Sequence, residues 1–244
     1  MKIEELNFRG EQDASEAART AADQARGPRS PVMRRRRGDW TGEPRDPNED
    51  TVWKAQREVI KAASETLAGH EHSTDVVELC AAVADALQIG ERERACLLAA
   101  AQVHDIGRVT MPAEVLDKRK PLDSADWALM CQHTVIGERI LRSVPEMIGV
   151  ARIVRSSHER YDGRGYPDGL RGIQIPLASR ILLCAEAYHA IQQDRPHRPR
   201  RSAAEALEEL CVNAGSQFDP RVVAALQAVA DERRGVLRRR FRRA

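Results

Sequence analysis

The apolar residues between positions 52 and 231 recur at the three- and four-residue spacing of α-helices, and no segment alternates as a β-strand would. Residues 91–104 are nearly apolar in their last two turns, which indicates a buried helix. Asp219 and Pro220 begin another helix, at 220–231. Hydrophobic residues make up 42% of the chain, so these helices have enough apolar surface to build a core. The sequence therefore predicts an all-α fold.

Other segments with the same periodicity predict the remaining helices and their ends. We expect these helices at residues 52–67, 76–87, 124–133, 134–142, 145–157, 177–193 and 203–211. Gly90 is expected to close the helix at 76–87, and Ser124 is expected to be the N-cap of the helix at 124–133. A glycine-rich loop at residues 162–172 interrupts the helical pattern.

Charge and composition divide the chain into a central domain and two flanking segments. Residues 1–50 carry several Gly and Pro residues and the Arg run 34–37, which predicts a tail, and residues 51–232 form the predicted domain. Residues 233–244 are rich in Arg and are predicted to be a C-terminal tail. Without the eleven arginines of these two runs, 28 basic residues remain against 37 acidic ones. This acidic balance argues against a nucleic-acid polymer as a partner.

The cysteines and the apolar runs give an expectation for the compartment. The five cysteines are scattered, with no C-x-x-C pair, which is typical of reduced thiols in the cytoplasm. No apolar run approaches the ~20 residues that a transmembrane helix needs, and the first residues lack the pattern of a secretory signal. We therefore expect a cytoplasmic protein without a transmembrane segment.

The dipeptide His104-Asp105 follows the buried helix and is the first candidate for chemistry. At a helix end the turn lets two adjacent side chains converge. An imidazole beside a carboxylate suits a divalent transition metal, and the carboxylate is able to bridge two ions. A buried, hydrogen-bonded pair without metal is the alternative, and the dipeptide alone leaves both open.

Further motifs accompany this dipeptide along the chain. They read HDIGR at 104–108, QH at 132–133, HERYDGRGYP at 158–167, IPLASRI at 175–181, RPHRP at 195–199 and FDP at 218–220. In this order and spacing, about two-thirds of the chain resembles the HD-GYP group of the HD-domain metal-dependent phosphohydrolases.

The resemblance implies a helical bundle with a glycine-rich GYP loop that hydrolyses cyclic di-GMP by a metal-bound water. It also implies two, sometimes three, divalent ions, for which iron and manganese are typical, and for this chain we expect one or two. Carried over by position, the first ion takes His72, His104, Asp105 and Glu186, and the second takes Asp105, His133 and His158. The GYP loop is then a candidate surface for a signalling-protein partner.

Positively charged and aromatic side chains are further candidates, because they would bind the phosphates and the bases of the anionic substrate. Arg108, Arg195 and Arg198 are candidate phosphate partners, because a guanidinium binds phosphate through two hydrogen bonds. Arg108 is also a candidate to stabilise the transition state, and Tyr166 is a candidate to stack on guanine. Arg195 and Arg198 read equally well as surface charges, and Tyr166 as a packing residue.

Four substitutions depart from the family pattern. Ser157 stands where the family has a second histidine, Glu186 and His189 replace aspartates, and Arg108 replaces a lysine. A serine hydroxyl is a poor ligand compared with imidazole, so the sequence predicts that the second ion is weakly held.

These departures keep three functions open. The first is a cyclic di-GMP phosphodiesterase. The second is a catalytically impaired regulator of the same fold, which binds a nucleotide or a partner protein. The third is an HD phosphohydrolase that acts on another nucleotide.

Overall fold

The structure is a computed structural model that describes residue 58 and residues 73–116, 118, 122–194 and 199–241, without the side chains of Ser73 and residues 234–241. The predicted tail at 1–50 and all but one residue of the predicted helix at 52–67 lie outside the described residues.

The described residues contain nine α-helices. In chain order they are α1 (Ser73–Ala86), α2 (Glu91–Val103), α3 (Ala113–Leu116), α4 (Ser124–Cys131), α5 (His133–Arg142), α6 (Ile148–Arg155), α7 (Leu177–Ile191), α8 (Ala203–Val212) and α9 (Pro220–Phe241). Short 3-10 helices occur at Ile106–Thr110, Pro145–Met147 and Gly172–Gln174. Within these ranges there is no strand, only an isolated bridge between Ala214 and Phe218. The all-α prediction is confirmed.

The core lies where α1, α2, α6 and α7 pack on one another, with α9 against α1 and α7. The second half of α2 is buried from Ala99 to Val103 except for Gln102, as its apolar sequence predicts. On α7, an uninterrupted buried run extends from Ile181 to Ala185. Each fully buried Leu or Ile side chain in these helices contributes roughly 1.5–3 kcal/mol of hydrophobic stabilisation. None of the helices in the described part of the chain is long and apolar enough to cross a membrane.

The end of α1 differs from the prediction for Gly90. The helix closes two residues earlier, at Gln88, whose φ of 53° lies in the left-handed region. The amide of Gln88 donates to the carbonyl of Asp85, and that of Ile89 donates to the carbonyl of Ala84, which is the Schellman pattern. Gly90 has a φ of −62° and is the N-cap of α2, so its prediction as a C-terminal cap is wrong.

The start of α4 also lies one residue from the prediction. Asp123, not Ser124, is the N-cap, because its carboxylate accepts hydrogen bonds from the amides of Ala125 and Asp126. The Asp126 side chain accepts the amide of Asp123 in return. This reciprocal pair is a capping box, which Ser124 has no partner to form.

The last helix continues beyond its predicted end at Asp231, to Phe241. Most of the segment 233–244, predicted to be a tail, is therefore helical. Arg and Leu are strong helix formers, so a helix already nucleated on the core propagates through this Arg-rich segment. The boundaries of the three predicted domains stay predictions.

The 3-10 helix after Asp105 packs closely on α5, and Gly107 permits this approach. A Cβ atom at Gly107 would lie 1.9 Å from the carbonyl oxygen of His133 and 2.8 Å from the amide nitrogen of Gly137. Both contacts are with backbone, which has little freedom to move away. Gly107 therefore sets how near Asp105 and His133 come to each other.

We expect Gly107→Ala to push the 3-10 helix off α5 and to lower the free energy of unfolding by about 2 kcal/mol or more. The matched control is Gly90→Ala, where a Cβ would meet nothing within 4 Å. That change is expected to stay within about 1 kcal/mol. Urea unfolding measures both, and equal effects of the two substitutions would contradict the packing argument.

Candidate metal centre

Five of the predicted ligand residues come together at the end of α2. His104 is the C-cap of α2, and Asp105 precedes the 3-10 helix. His133 begins α5, His158 follows α6, and Glu186 lies on α7. The chain turns at Asp105, with φ −89° and ψ 2°, so the side chains of His104 and Asp105 face the same point, as the sequence predicts.

Each carboxylate of this cluster lies between two imidazoles. Oδ1 of Asp105 is 3.8 Å from Nε2 of His104 and 3.8 Å from Nε2 of His133. Oε1 of Glu186 is 3.9 Å from Nε2 of His104, and its Oε2 is 4.0 Å from Nε2 of His158. The rings of His133 and His158 lie edge to face, with centroids 5.0 Å apart.

Backbone carbonyls orient two of the imidazoles. Nδ1 of His104 lies 3.0 Å from the carbonyl oxygen of Ala101, and Nδ1 of His133 lies 2.7 Å from that of Met130. A carbonyl only accepts, so Nδ1 carries the proton in both rings. In the neutral ring, Nε2 then points its lone pair toward the carboxylates, which is the arrangement of metal-binding histidines.

The cluster contains buried polar atoms without a hydrogen-bond partner. Among the described residues these atoms are Oδ1 of Asp105, Nε of Arg108, Nε2 of His133, Nε2 of His158 and Oε2 of Glu186. Nε of Arg108 lies 2.9 Å from Oδ1 of Asp105 but is not aligned for a hydrogen bond. An unpaired buried polar group costs about 1–3 kcal/mol, and all five belong to this one site. Four of them are lone-pair donors, which fits a shared cation.

The distances between the candidate ligand atoms are longer than those in a filled metal site. Ligand atoms about 2.1 Å from one ion stand about 3.0–3.4 Å apart, whereas the four distances here are 3.8 to 4.0 Å. In the described part of the chain, no three His, Cys, Asp or Glu side chains have the geometry of a single ion site. His72, predicted for the first ion, lies outside it. The donor set fits a divalent metal after side-chain shifts of about half an ångström.

Comparison with known proteins identifies the family. The sequence profile of the HD domain matches residues 54–222. The chain belongs to the HD domain family. Over 169 residues this HD domain is 34% identical to the 3′3′-cGAMP-specific phosphodiesterase 3 of Vibrio cholerae, covering 69% of this chain and 36% of that protein. It is 40% identical to the cyclic di-GMP phosphodiesterase response regulator RpfG of Xanthomonas campestris, covering 59% of this chain and 39% of RpfG.

The fold agrees with this assignment. The structure matches that of a cyclic GMP-AMP specific phosphodiesterase of V. cholerae with a TM-score of 0.57 and 21% identity, over 72% of this chain and 49% of that one. The family predicted from the motifs is confirmed. The chain spans less than half the length of the curated relatives it matches, so its own activity and substrate have to be argued separately.

Burial and charge prepare the side chains of the HD domain for metal binding. Burial lowers the pKa of His158 to about 4, and burial together with the neighbouring His158 does the same for His133. Burial would raise the pKa of Asp105, but His104 and Arg108 outweigh it and lower that pKa. At neutral pH the two histidines are therefore neutral and Asp105 is charged, which are the forms that ligate.

The GYP loop covers one side of the cluster. The Tyr166 ring stacks on the imidazole of His158, with centroids 5.2 Å apart and planes at 12°. The indole of Trp127 meets the Tyr166 ring edge-on, with ring centroids 6.2 Å apart. One face of Tyr166 is thus covered by His158, and the predicted stacking on guanine would use the other face.

Two residues that sequence reasoning missed hold this loop in place. The buried carboxylate of Glu159 accepts the amides of Asp168 at 2.7 Å and Leu170 at 3.0 Å. The guanidinium of Arg155 binds both oxygens of Asp168, at 2.7 and 2.8 Å, and also Glu138 at 2.6 Å. Glu159 belongs to the GYP motif, which was the only signal for it. Nothing in the sequence pairs Arg155 with Asp168.

The remaining predicted residues fall in two groups. Arg195 and Arg198 lie outside the described residues. Ser157 is fully buried, and its hydroxyl donates to the carbonyl of Val154 at 2.8 Å. His189 lies one turn beyond Glu186, with Nδ1 3.8 Å from Oδ2 of Asp75.

We expect Glu159→Gln to loosen the GYP loop, because an amide keeps one acceptor and turns a donor toward the other main-chain amide. The free energy of unfolding should fall by about 1–3 kcal/mol. Trypsin should then cleave faster after the exposed Arg164. Glu205→Gln, which alters an exposed capping carboxylate of α8, is the control. Unchanged cleavage in Glu159→Gln would contradict this role.

Asp105→Ala tests whether the cluster is a metal centre or a buried polar pair. We expect the substitution to abolish stoichiometric binding of Mn²⁺ or Fe²⁺, since Asp105 faces two histidines. The control is Asp162→Ala, whose side chain is 18% exposed like that of Asp105 and pairs with Arg160. Metal analysis after dialysis gives the ion content of each variant. Full metal content in Asp105→Ala would favour the polar pair.

Proposed function

We propose that this HD domain is a metal-dependent phosphodiesterase that hydrolyses a cyclic dinucleotide, with cyclic di-GMP as the first candidate. The observation that carries the proposal is the placement of the Asp105 carboxylate between His104 and His133, in a cluster whose buried lone pairs have no partner. Iron or manganese suits this mixed set of imidazole and carboxylate donors.

The residues that would hold the metal are those of the cluster, together with His72. The metal would supply Lewis-acid chemistry, which activates water and offsets the charge that builds on phosphate oxygens. The residues prepare this chemistry: the bonds from Nδ1 of His104 and His133 to backbone carbonyls keep both rings from turning. A rigid set of ligands requires no reorganisation when the substrate reacts.

Arg108 is the proposed phosphate partner within the described residues. Its guanidinium sits beside Asp105, and its side chain is 28% exposed, so it borders both the cluster and solvent. A guanidinium at this position offsets the charge of a phosphate group and donates two parallel hydrogen bonds to two of its oxygens. Burial raises the pKa of Tyr166, so its hydroxyl stays protonated and is able to donate to the substrate.

The relatives support a cyclic dinucleotide without choosing its bases. One is named for 3′3′-cGAMP and the other for cyclic di-GMP. We propose cyclic di-GMP as the substrate and keep 3′3′-cGAMP as the alternative candidate. The scattered cysteines favour the cytoplasm, which is the proposed compartment, and the GYP loop is the proposed surface for a signalling-protein partner.

A second candidate function is a regulator that binds the nucleotide without hydrolysing it. Ser157 favours this candidate, because its hydroxyl proton is engaged by the carbonyl of Val154 rather than directed at the cluster. In such a protein, binding would be retained and the ion that completes the catalytic centre would be missing.

Turnover of cyclic di-GMP and 3′3′-cGAMP by the full chain, with Mn²⁺ or Fe²⁺ supplied, tests the proposal. We expect Arg108→Ala to lower kcat by on the order of 10²-fold while leaving metal content unchanged, because a charge contact to the reacting phosphate is lost. Arg152→Ala, on an exposed position of α6, is the control.

The possible outcomes separate the candidates. Turnover that depends on Arg108 supports the phosphodiesterase. Nucleotide binding without turnover would favour the regulator. Turnover of 3′3′-cGAMP alone would correct the substrate.

A further inference from the structure

The second ligand set lacks a donor at position 157. Ser157 is fully buried, and its hydroxyl donates to the carbonyl of Val154. A neutral hydroxyl is a weak ligand for iron or manganese even when it is free. On this side of the cluster, His133, His158 and Asp105 remain.

Glu186 extends to this same side. Its two oxygens face different histidines: Oε1 is 3.9 Å from Nε2 of His104, and Oε2 is 4.0 Å from Nε2 of His158. Oε2 is buried and has no hydrogen-bond partner, and neither has Nε2 of His158. The carboxylate thus spans the gap between the His104 side and the His158 side.

Side-chain length makes this placement possible. Glu186 is fixed to α7, a rigid helix whose neighbouring residues Cys184 and Ala185 are buried in the core. An aspartate at the same position has one methylene fewer, so its carboxylate would end about 1.3–1.5 Å nearer the helix. It would then reach one set of ligands and not both.

We propose that Glu186 is a second bridging carboxylate, which gives the second ion the ligand that Ser157 does not supply. Asp105 links His104 to His133, and Glu186 links His104 to His158. With Glu186 added to Asp105, His133 and His158, the second ion has four protein ligands. It should therefore bind more tightly than the substitution at Ser157 alone predicts. This inference rests on the metal centre of the proposed function.

Metal titration of the full chain tests the inference without any measurement of activity. After removal of metal, the unmodified chain should bind two Mn²⁺ per chain. Glu186→Asp should weaken the second ion at least ~10-fold and leave the first in place. Glu186→Gln keeps the length of the side chain but offers one oxygen donor, so it should also lose the second ion. A single ion in the unmodified chain would overturn the inference.

The control is Glu209→Asp, the same chemical change on α8. The Glu209 side chain pairs with Arg201 and is 21% exposed, which is close to the 24% exposure of the Glu186 side chain. Glu209→Asp should keep both ions. Circular dichroism reports whether each variant is folded, and Glu186→Gln decides the outcome if Glu186→Asp does not fold. Two ions bound as tightly in Glu186→Gln as in the unmodified chain would overturn the inference.

A double substitution supplies the positive test. In the double variant, Glu186→Asp removes the bridging oxygen from the second ion, and Ser157→His adds an imidazole nitrogen on the same side of the cluster. We expect the pair to regain the second ion that Glu186→Asp alone has lost. If the pair binds no more metal than Glu186→Asp alone, the two positions do not compensate each other and the inference is wrong.

The number of bound ions and the turnover of cyclic dinucleotides test the two proposals separately. If two ions depend on Glu186 but no cyclic dinucleotide is hydrolysed, the bridging role stands and the proposed activity falls. If the chain hydrolyses a cyclic dinucleotide but substitutions at Glu186 leave the number of bound ions unchanged, the proposed activity is supported and the bridging role is wrong.

Discussion

The charge of Asp105, whose Oδ1 atom is buried, is the constraint on which the rest of the site depends. A carboxylate in the interior is costly unless positive groups and donors surround it. Arg108 lies 2.9 Å from this carboxylate, and the imidazoles of His104 and His133 lie 3.8 Å away. These groups come from the end of α2, the following 3-10 helix and the start of α5. Apolar packing has no preferred direction, so this charged cluster sets the register in which those helix ends meet.

Hydrogen bonds and ion pairs also hold the GYP loop against the cluster. The GYP loop is tied to the end of α6 by the Arg155–Asp168 pair and to the segment after α6 by Glu159, which keeps Tyr166 on the face of His158. The ligand position therefore depends on residues that never face the centre. In the proposed centre, the longer side chain of Glu186 offsets the short one of Ser157 only because both elements are held rigidly.

Local sequence patterns predicted much of this protein. The apolar period predicted most helices, and the His104-Asp105 dipeptide with its accompanying motifs predicted the family and five side chains that the structure brings together. These predictions succeed because helix periodicity and motif spacing are properties of neighbouring residues. The prediction for Gly90 failed for a related reason: a left-handed turn at Gln88 closes the helix first, and competition between two nearby caps depends on packing that the sequence does not show.

The sequence by itself determined the all-α class, the HD domain family and which side chains carry lone pairs. Only the tertiary structure decided where those lone pairs point. That Glu186 lies between His104 and His158 depends on the approach of α7 to the end of α2 and on one methylene of side-chain length. Distances between residues far apart in the chain are the sum of many weak contacts among close-packed helices. The length of one methylene, about 1.3–1.5 Å, separates a carboxylate that faces two histidines from one that faces a single histidine.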